Sequence, residues 1–212
     1  MHNCPLCQSN HPHHYFADKH RQYLECSNCA LVFVDPKQRL DARAEKAHYD
    51  HHKNNPNDMG YRCFLSRMAD PICQRVASQS EGLDFGCGPG PTLSIMLEER
   101  GHNMKLYDIY YHPDSSVLVQ QYDFVTATEV IEHLYEPAQV WQQWLNLVKP
   151  GGWLGIMTKM VIDVEAFAHW HYRKDHTHVI FFSQTTFEYL AERDKLELEF
   201  VGNDVILLRK PQ

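Results

Sequence analysis

The sequence predicts an α/β protein: a doubly wound, mostly parallel sheet over residues 60–212, with a small zinc-ribbon-like segment in residues 1–40 and a linker or lid over 41–59. Three observations carry this. Short apolar runs alternate with helical patterns from Gly82 to Arg193, as in a parallel sheet covered by helices. A glycine-rich loop, "GCGPGP", follows the first of these runs, and two CxxC pairs stand near the amino end.

Cys4, Cys7, Cys26 and Cys29 form a CxxC, eighteen residues, CxxC pattern. Each pair lets two thiolates approach one ion from a tight turn, and two such turns complete a tetrahedral Cys4 site. A segment this short cannot bury enough apolar surface to fold unaided, so the metal is expected to be structural. Zinc is expected, and iron would be held by the same four sulfurs. Cys63, Cys73 and Cys87 show no partner spacing. An odd total of 7 cysteines argues for reduced thiols and a cytoplasmic setting.

"CALVFVDP" reads as a strand ended by Pro36, and Leu40 to Lys46 as a short helix. Tyr49, Asp50, His51 and His52 fall in a polar stretch that reads as a lid over a site or as a solvated linker. Tyr61 to Gln79 carries Phe64, Leu65, Met68, Ile72 and Val76 at helical spacing, with a kink expected at Pro71. Strands follow at Gly82–Phe85, Met104–Tyr107, Phe124–Ala127 and Trp153–Thr158, and helices at Thr92–Arg100, Pro137–Val148 and Gln184–Arg193. The last stretch, "LELEFVGNDVILLRK", is two β runs joined through Gly202, Asn203 and Asp204, a hairpin signal.

Composition narrows the partners. The chain is 43% hydrophobic and 22% charged, ordinary for a globular protein. No apolar run approaches the ~18 residues that span a bilayer, and the start lacks the basic and apolar regions of a signal peptide. No membrane partner is therefore expected. Net charge is -7, with no basic block, which disfavours an extended nucleic acid as partner and leaves a short RNA contact open. A small-molecule acceptor is expected instead. Nothing in the sequence reports the oligomeric state.

In a doubly wound sheet the ligand sits beyond the carboxyl ends of the strands, beside the first one. Gly86, Gly88 and Gly90, with Cys87 between them, allow a tight turn there, and the two ligands to weigh are a dinucleotide and S-adenosylmethionine. A dinucleotide fingerprint needs glycine at 91, where Pro91 stands. Asp84 would oppose a pyrophosphate but could orient an amino group. Asp108, at the end of the second strand, is placed to accept hydrogen bonds from ribose hydroxyls. The balance favours S-adenosylmethionine.

"LDFGCGPG", the acid of "LYDIYY", "YDFVTATEVIEHL" and "LVKPGGWLGIMT" resemble, in order, the motifs of class I S-adenosylmethionine-dependent methyltransferases over residues 60–212. The resemblance implies a Rossmann-like sheet of seven strands with the last antiparallel. It places Asp108 and Ile109 at the cofactor's nucleoside, and Thr128 or Glu129 at its methionine end. The paired CxxC motifs and "DHTHVIFFSQTTF" resemble a bacterial subgroup with an amino-terminal zinc-binding segment that includes sugar C-methyltransferases. One departure stands out: between Asp108 and Asp123 the third strand is either reduced to Ser116–Val119 or missing.

Methyl transfer needs the acceptor atom aligned with the sulfonium methyl, and a base only if that atom arrives protonated. His133, after the fourth strand, is a candidate base or a capping residue. His176 and His178 follow the fifth strand, where alternation would put both on one face. The rival reading is a catalytically degenerate methyltransferase-like adaptor that binds a protein or RNA through its zinc segment.

Overall fold

The computed structural model describes residues 3–50 and 54–212. At the amino end, Pro12–Ala17 (β1), Gln22–Cys26 (β2) and Val32–Val34 (β3) form an antiparallel ribbon in which Tyr23 pairs with Val34 and Leu24 with Phe33. Three short strands bury too little to stand alone. The free edge of β3 pairs antiparallel with Ile180–Phe181, far along the chain, so that Val32 faces Phe181 and Phe33 faces Ile180. Tyr23, Val32 and Val34 pack with Val161, Phe167, Tyr172 and Phe181 in one apolar cluster. Full burial of one such side chain contributes roughly 1.5–3 kcal/mol, so the ribbon is held largely by what it covers.

Two helices follow, Ala42–Tyr49 (α1) and Met59–Cys73 (α2), each capped by an aspartate: Asp41 accepts from the Ala44 N–H, and Asp58 from those of Gly60 and Tyr61. In α2 the spacing of Leu65, Met68, Ala69 and Ile72 turns an apolar stripe inward. The helix ends at Cys73, two residues after Pro71 and short of the expected Gln79.

The central sheet is built from Glu81–Phe85 (β4), Asn103–Tyr107 (β5), Tyr122–Thr128 (β6) and Val148–Met157 (β7), which run parallel. Between them lie Thr92–Glu98 (α3) and Pro137–Leu147 (α4). After β7 come Val164–His169 (α5), the edge pair Ile180–Phe181 (β8) and Gln184–Asp194 (α6). Glu197–Val201 (β9) and Val205–Arg209 (β10) close the sheet as the expected hairpin, with β10 antiparallel to β7. The order is β5-β4-β6-β7-β10-β9.

Alternation along the strands sends Phe124, Met157 and Leu207 to the face covered by α2 and α3. Val125, Leu154, Ile156 and Ile206 face the other way, toward Trp141 and Trp144 of α4 and Phe187 and Leu190 of α6. The sheet is thus covered on both faces, and the strand order reverses at β4, which puts the switch point beside the glycine loop.

The described sheet has six strands, not the seven that the resemblance implies. Among the described residues the third strand is absent: Ser115–Val119 is a short 3-10 helix, tied down by the Tyr122 hydroxyl donating to the Val117 carbonyl at 2.7 Å. Only residues 108–121 separate β5 from β6, and a crossover to a parallel strand needs a dozen or more residues before any strand is counted. Among the described residues, β5 is left as an edge of the sheet.

Candidate active site

β4 ends in Phe85, and the chain then turns through Gly86 (φ +75°) and Gly88 (φ +66°) before α3. Both sit in the left-handed region, where a side chain would be strained. A Cβ at Gly86 would run into Val130, and one at Gly90 into the Asn54 carbonyl, so the loop has the turn after β6 on one side and the chain around Asn54 on the other.

Asp108 fixes the other side of this loop. Its Oδ2 accepts the Gly88 N–H at 3.0 Å, and its Oδ1 accepts the N–H groups of Tyr110 (2.8 Å) and Tyr111 (3.0 Å). A carboxylate oxygen carries two lone pairs, so Oδ2 keeps one acceptor position for a hydroxyl. Thr128, at the end of β6, has a buried Oγ1 with no hydrogen-bond partner. An acceptor after β5 and an orphaned hydroxyl at the end of β6, on either side of β4, suit a ligand with ribose hydroxyls and a polar tail, as S-adenosylmethionine has.

Asp84 lies beneath the loop. It is buried, accepts from Ser94 Oγ (3.0 Å) and Thr126 Oγ1 (3.1 Å), and is pushed up to about 6 by burial. Cys87 is buried, which drives its thiol up, and Ile109 is 68% exposed on the outer side of Asp108.

A second cluster is built on the turn after β6. Glu129 takes φ +53° and donates its N–H to the Met157 carbonyl, so β7 holds the turn. Ile131–His133 then form a 3-10 turn that carries Glu132 inward to 1% exposure. The Tyr172 hydroxyl lies between the carboxylates: it is hydrogen-bonded to Glu132 Oε1, and its oxygen lies 3.2 Å from Glu129 Oε2. Thr158 Oγ1 donates to the other Glu132 oxygen at 3.1 Å. Burial pushes both carboxyls up, and the Glu132 charge raises Glu129 further.

Two histidines complete the cluster. Their rings lie 4.7 Å apart, with His133 Nδ1 3.1 Å from the Thr177 carbonyl and His178 Nδ1 2.7 Å from the Tyr172 carbonyl. Burial pulls both imidazoles below their ordinary range, and holds His178 down at about 3, with His133 beside it adding to the effect. His176 is placed elsewhere. It is exposed and packs against His20, because residues 172–178 run through a turn instead of the extended segment that would align it with His178.

A roof spans the two halves. Tyr49 sets its ring 5.3 Å from His133 and 5.9 Å from Tyr110, while its hydroxyl and that of Tyr110 both reach Glu45. Tyr111 donates to Asp50, and His48 lies 3.2 Å from Asp175. Residues 41–50 thus reach both halves through Glu45, Tyr49 and Asp50, while most of their described side chains are exposed; His51 and His52 lie outside the described residues.

At the amino end, Cys4 Sγ is 3.6 Å from Cys29 Sγ and Cys7 Sγ is 3.5 Å from Cys26 Sγ, and all four sulfurs lie within 4.8 Å of one another. A tetrahedron with ~2.3 Å metal–sulfur bonds has edges of about 3.8 Å, so the four could hold one ion. Gln8 and Ala30, each just after the second cysteine of a pair, take positive φ to turn both sulfurs inward.

The profile of a methyltransferase domain family matches residues 60–199. The chain belongs to this methyltransferase family. Ubiquinone biosynthesis O-methyltransferases of Serratia proteamaculans (strain 568) and Stutzerimonas stutzeri (strain A1501) are 35% and 33% identical to it over 78 and 90 residues. Those stretches are 37% and 42% of this chain, and 32% and 38% of the relatives, so the match spans little more than a third of their length. Among solved structures, a Burkholderia thailandensis 1,6-didemethyltoxoflavin-N1-methyltransferase, with 1,6-didemethyltoxoflavin and S-adenosylhomocysteine bound, matches with TM-score 0.53 at 14% identity. That match covers 95% of this chain and 99% of that one. A Methanococcus maripaludis protein described as a putative S-adenosyl-L-methionine-dependent methyltransferase matches with TM-score 0.53 at 15% identity, over 84% and 97% of the two chains. These likenesses show that the methyltransferase has the α/β fold of S-adenosylmethionine-dependent enzymes.

Glu132, Tyr172 and Arg21 of this methyltransferase were not singled out from sequence. Glu132 sits three residues after Glu129 and one before His133, a spacing that brings all three to one turn. Tyr172 and Arg21 carry no such signal, because only the pairing of β3 with β8 brings them near.

Proposed function

We propose that this methyltransferase moves the methyl group of S-adenosylmethionine onto a hydroxyl oxygen of a small acceptor. The observation that carries the reading is the buried set of Glu129, Glu132, His133, His178 and Tyr172 at the carboxyl end of β6, next to the glycine loop. Gly88, Asp108 and Thr128 would hold the cofactor, which supplies an electrophilic methyl when bound. A hydroxyl is a poor nucleophile until its proton leaves, and this cluster offers a desolvated place for that proton to go. The names of the O-methyltransferase relatives point the same way.

The test is product analysis. Purified protein is incubated with S-adenosylmethionine and a panel of small hydroxylated aromatics, sugars and amines, and products are read by mass spectrometry and NMR. An O-methyl product with equimolar S-adenosylhomocysteine is expected, whereas a product methylated only at nitrogen or carbon would overturn the oxygen assignment.

The four cysteines are proposed to hold a structural zinc that braces the β1–β3 ribbon. Elemental analysis should find one zinc per chain in the native protein and about none in Cys26→Ser; equal metal content in both would contradict this.

A further inference from the structure

Glu132, His133 and His178 each offer one ligand-capable atom, and these atoms lie within 4.8 Å of one another. We propose that they bind a second metal ion, a divalent transition metal of the Mn²⁺, Fe²⁺ or Zn²⁺ type, beside the turn after β6. This rests on the methyltransferase reading and adds to it.

Four features of the site point to a cation. Glu132 is 1% exposed, and among the described residues it forms no ion pair with lysine or arginine. Buried carboxylates are ordinarily paired with a cation or coordinate a metal. Each imidazole has its Nδ1 against a backbone carbonyl, Thr177 for His133 and Tyr172 for His178. That arrangement fixes the tautomer with the proton on Nδ1 and leaves Nε2 with the lone pair that a metal takes. Tyr172 and Thr158 donate hydroxyl hydrogen bonds to the Glu132 carboxylate, the outer support expected of a ligating carboxylate. Finally, two imidazoles with one carboxylate form a nitrogen and oxygen donor set that favours a first-row transition ion over calcium, and over the soft ions that thiolates select.

Such an ion gives the hydroxyl acceptor a defined role. Bound to the ion, the acceptor oxygen loses its proton more readily. The oxygen lone pair then forms the new O–CH3 bond as the C–S bond breaks, its electron pair stays on sulfur, and the proton has already passed to solvent or a neighbouring base. Nothing is oxidised or reduced.

The experiment is a Mn²⁺ titration of the full-length, zinc-loaded protein, with free Mn²⁺ read by electron paramagnetic resonance. Manganese is poorly suited to the four-cysteine site, so it reports the second one. The native protein should bind one Mn²⁺ per chain, and Glu132→Gln and His178→Gln should each weaken that binding by at least ~tenfold. Each variant is checked for S-adenosylhomocysteine binding to show that it is folded, and His133→Asn replaces any that fails. No Mn²⁺ bound by the native protein at ~1 mM, or binding unchanged in the folded variants, would overturn the proposal. Cofactor binding without Mn²⁺ binding would leave the methyltransferase reading intact and remove the ion alone.

Discussion

Arg21→Ala is expected to lower kcat/KM for methyl transfer by at least ~100-fold while leaving S-adenosylhomocysteine affinity within about threefold of native. Arg21 is 4% exposed, and its guanidinium donates to the carbonyls of Arg173, Asp175, His176 and His178. These residues form the turn between Tyr172 and His178, so one side chain from the amino-terminal ribbon ties down the loop that carries half of the proposed acceptor site. The Asp18–Arg173 ion pair adds a second tie from the same ribbon. Each buried carbonyl left without its donor costs about 1–3 kcal/mol, enough for the loop to leave its present path. A loss of two such bonds, roughly 2.7 kcal/mol if felt only in the transition state, is about 100-fold in rate. The cofactor loop touches none of these carbonyls, which is why binding should survive. Steady-state kinetics beside calorimetry makes the distinction: full activity in Arg21→Ala would show that the ribbon is only an attachment, and loss of both activity and binding would show a general folding defect.

Asp108→Ala should weaken binding of S-adenosylmethionine and S-adenosylhomocysteine by ~100-fold or more. The carboxylate gathers the N–H groups of Gly88, Tyr110 and Tyr111 and, in the proposed cofactor site, would also accept from the ligand, so its removal loosens the loop as well as deleting that contact. Hydrogen bonds to a charged group contribute about 1.5–3 kcal/mol, and alanine replaces none of them. Asp108→Asn should fall between, since its amide keeps one acceptor oxygen. Calorimetric affinity unchanged in Asp108→Ala would remove this residue from the cofactor site.

The central sheet was legible because its cues are local. Gly82–Phe85, Phe124–Ala127 and the Gly202 turn each announce themselves within a few residues, and the structure places β4, β6 and the β9–β10 hairpin there. The cysteine cluster was legible for the same reason, since CxxC spacing fixes each knuckle by itself. What could not be read depends on contacts across long stretches of chain. Alternation suggested that His176 and His178 share a face, but residues 172–178 form a turn held from outside by Arg21, and turn geometry has no period of two. Likewise the spacing puts Glu132 on one turn with Glu129 and His133, but only the arrival of Tyr172 and Thr158 shows that it is buried. The missing third strand was visible as a shortage of residues, though not as the short 3-10 helix that replaces it.

The most direct test of the account is an isothermal titration of the native protein with S-adenosylhomocysteine and, in parallel, with NAD. The geometry of the glycine loop and Asp108 predicts one S-adenosylhomocysteine bound per chain at micromolar affinity and no heat from NAD. Silence from S-adenosylhomocysteine, or saturable binding of NAD, would contradict it.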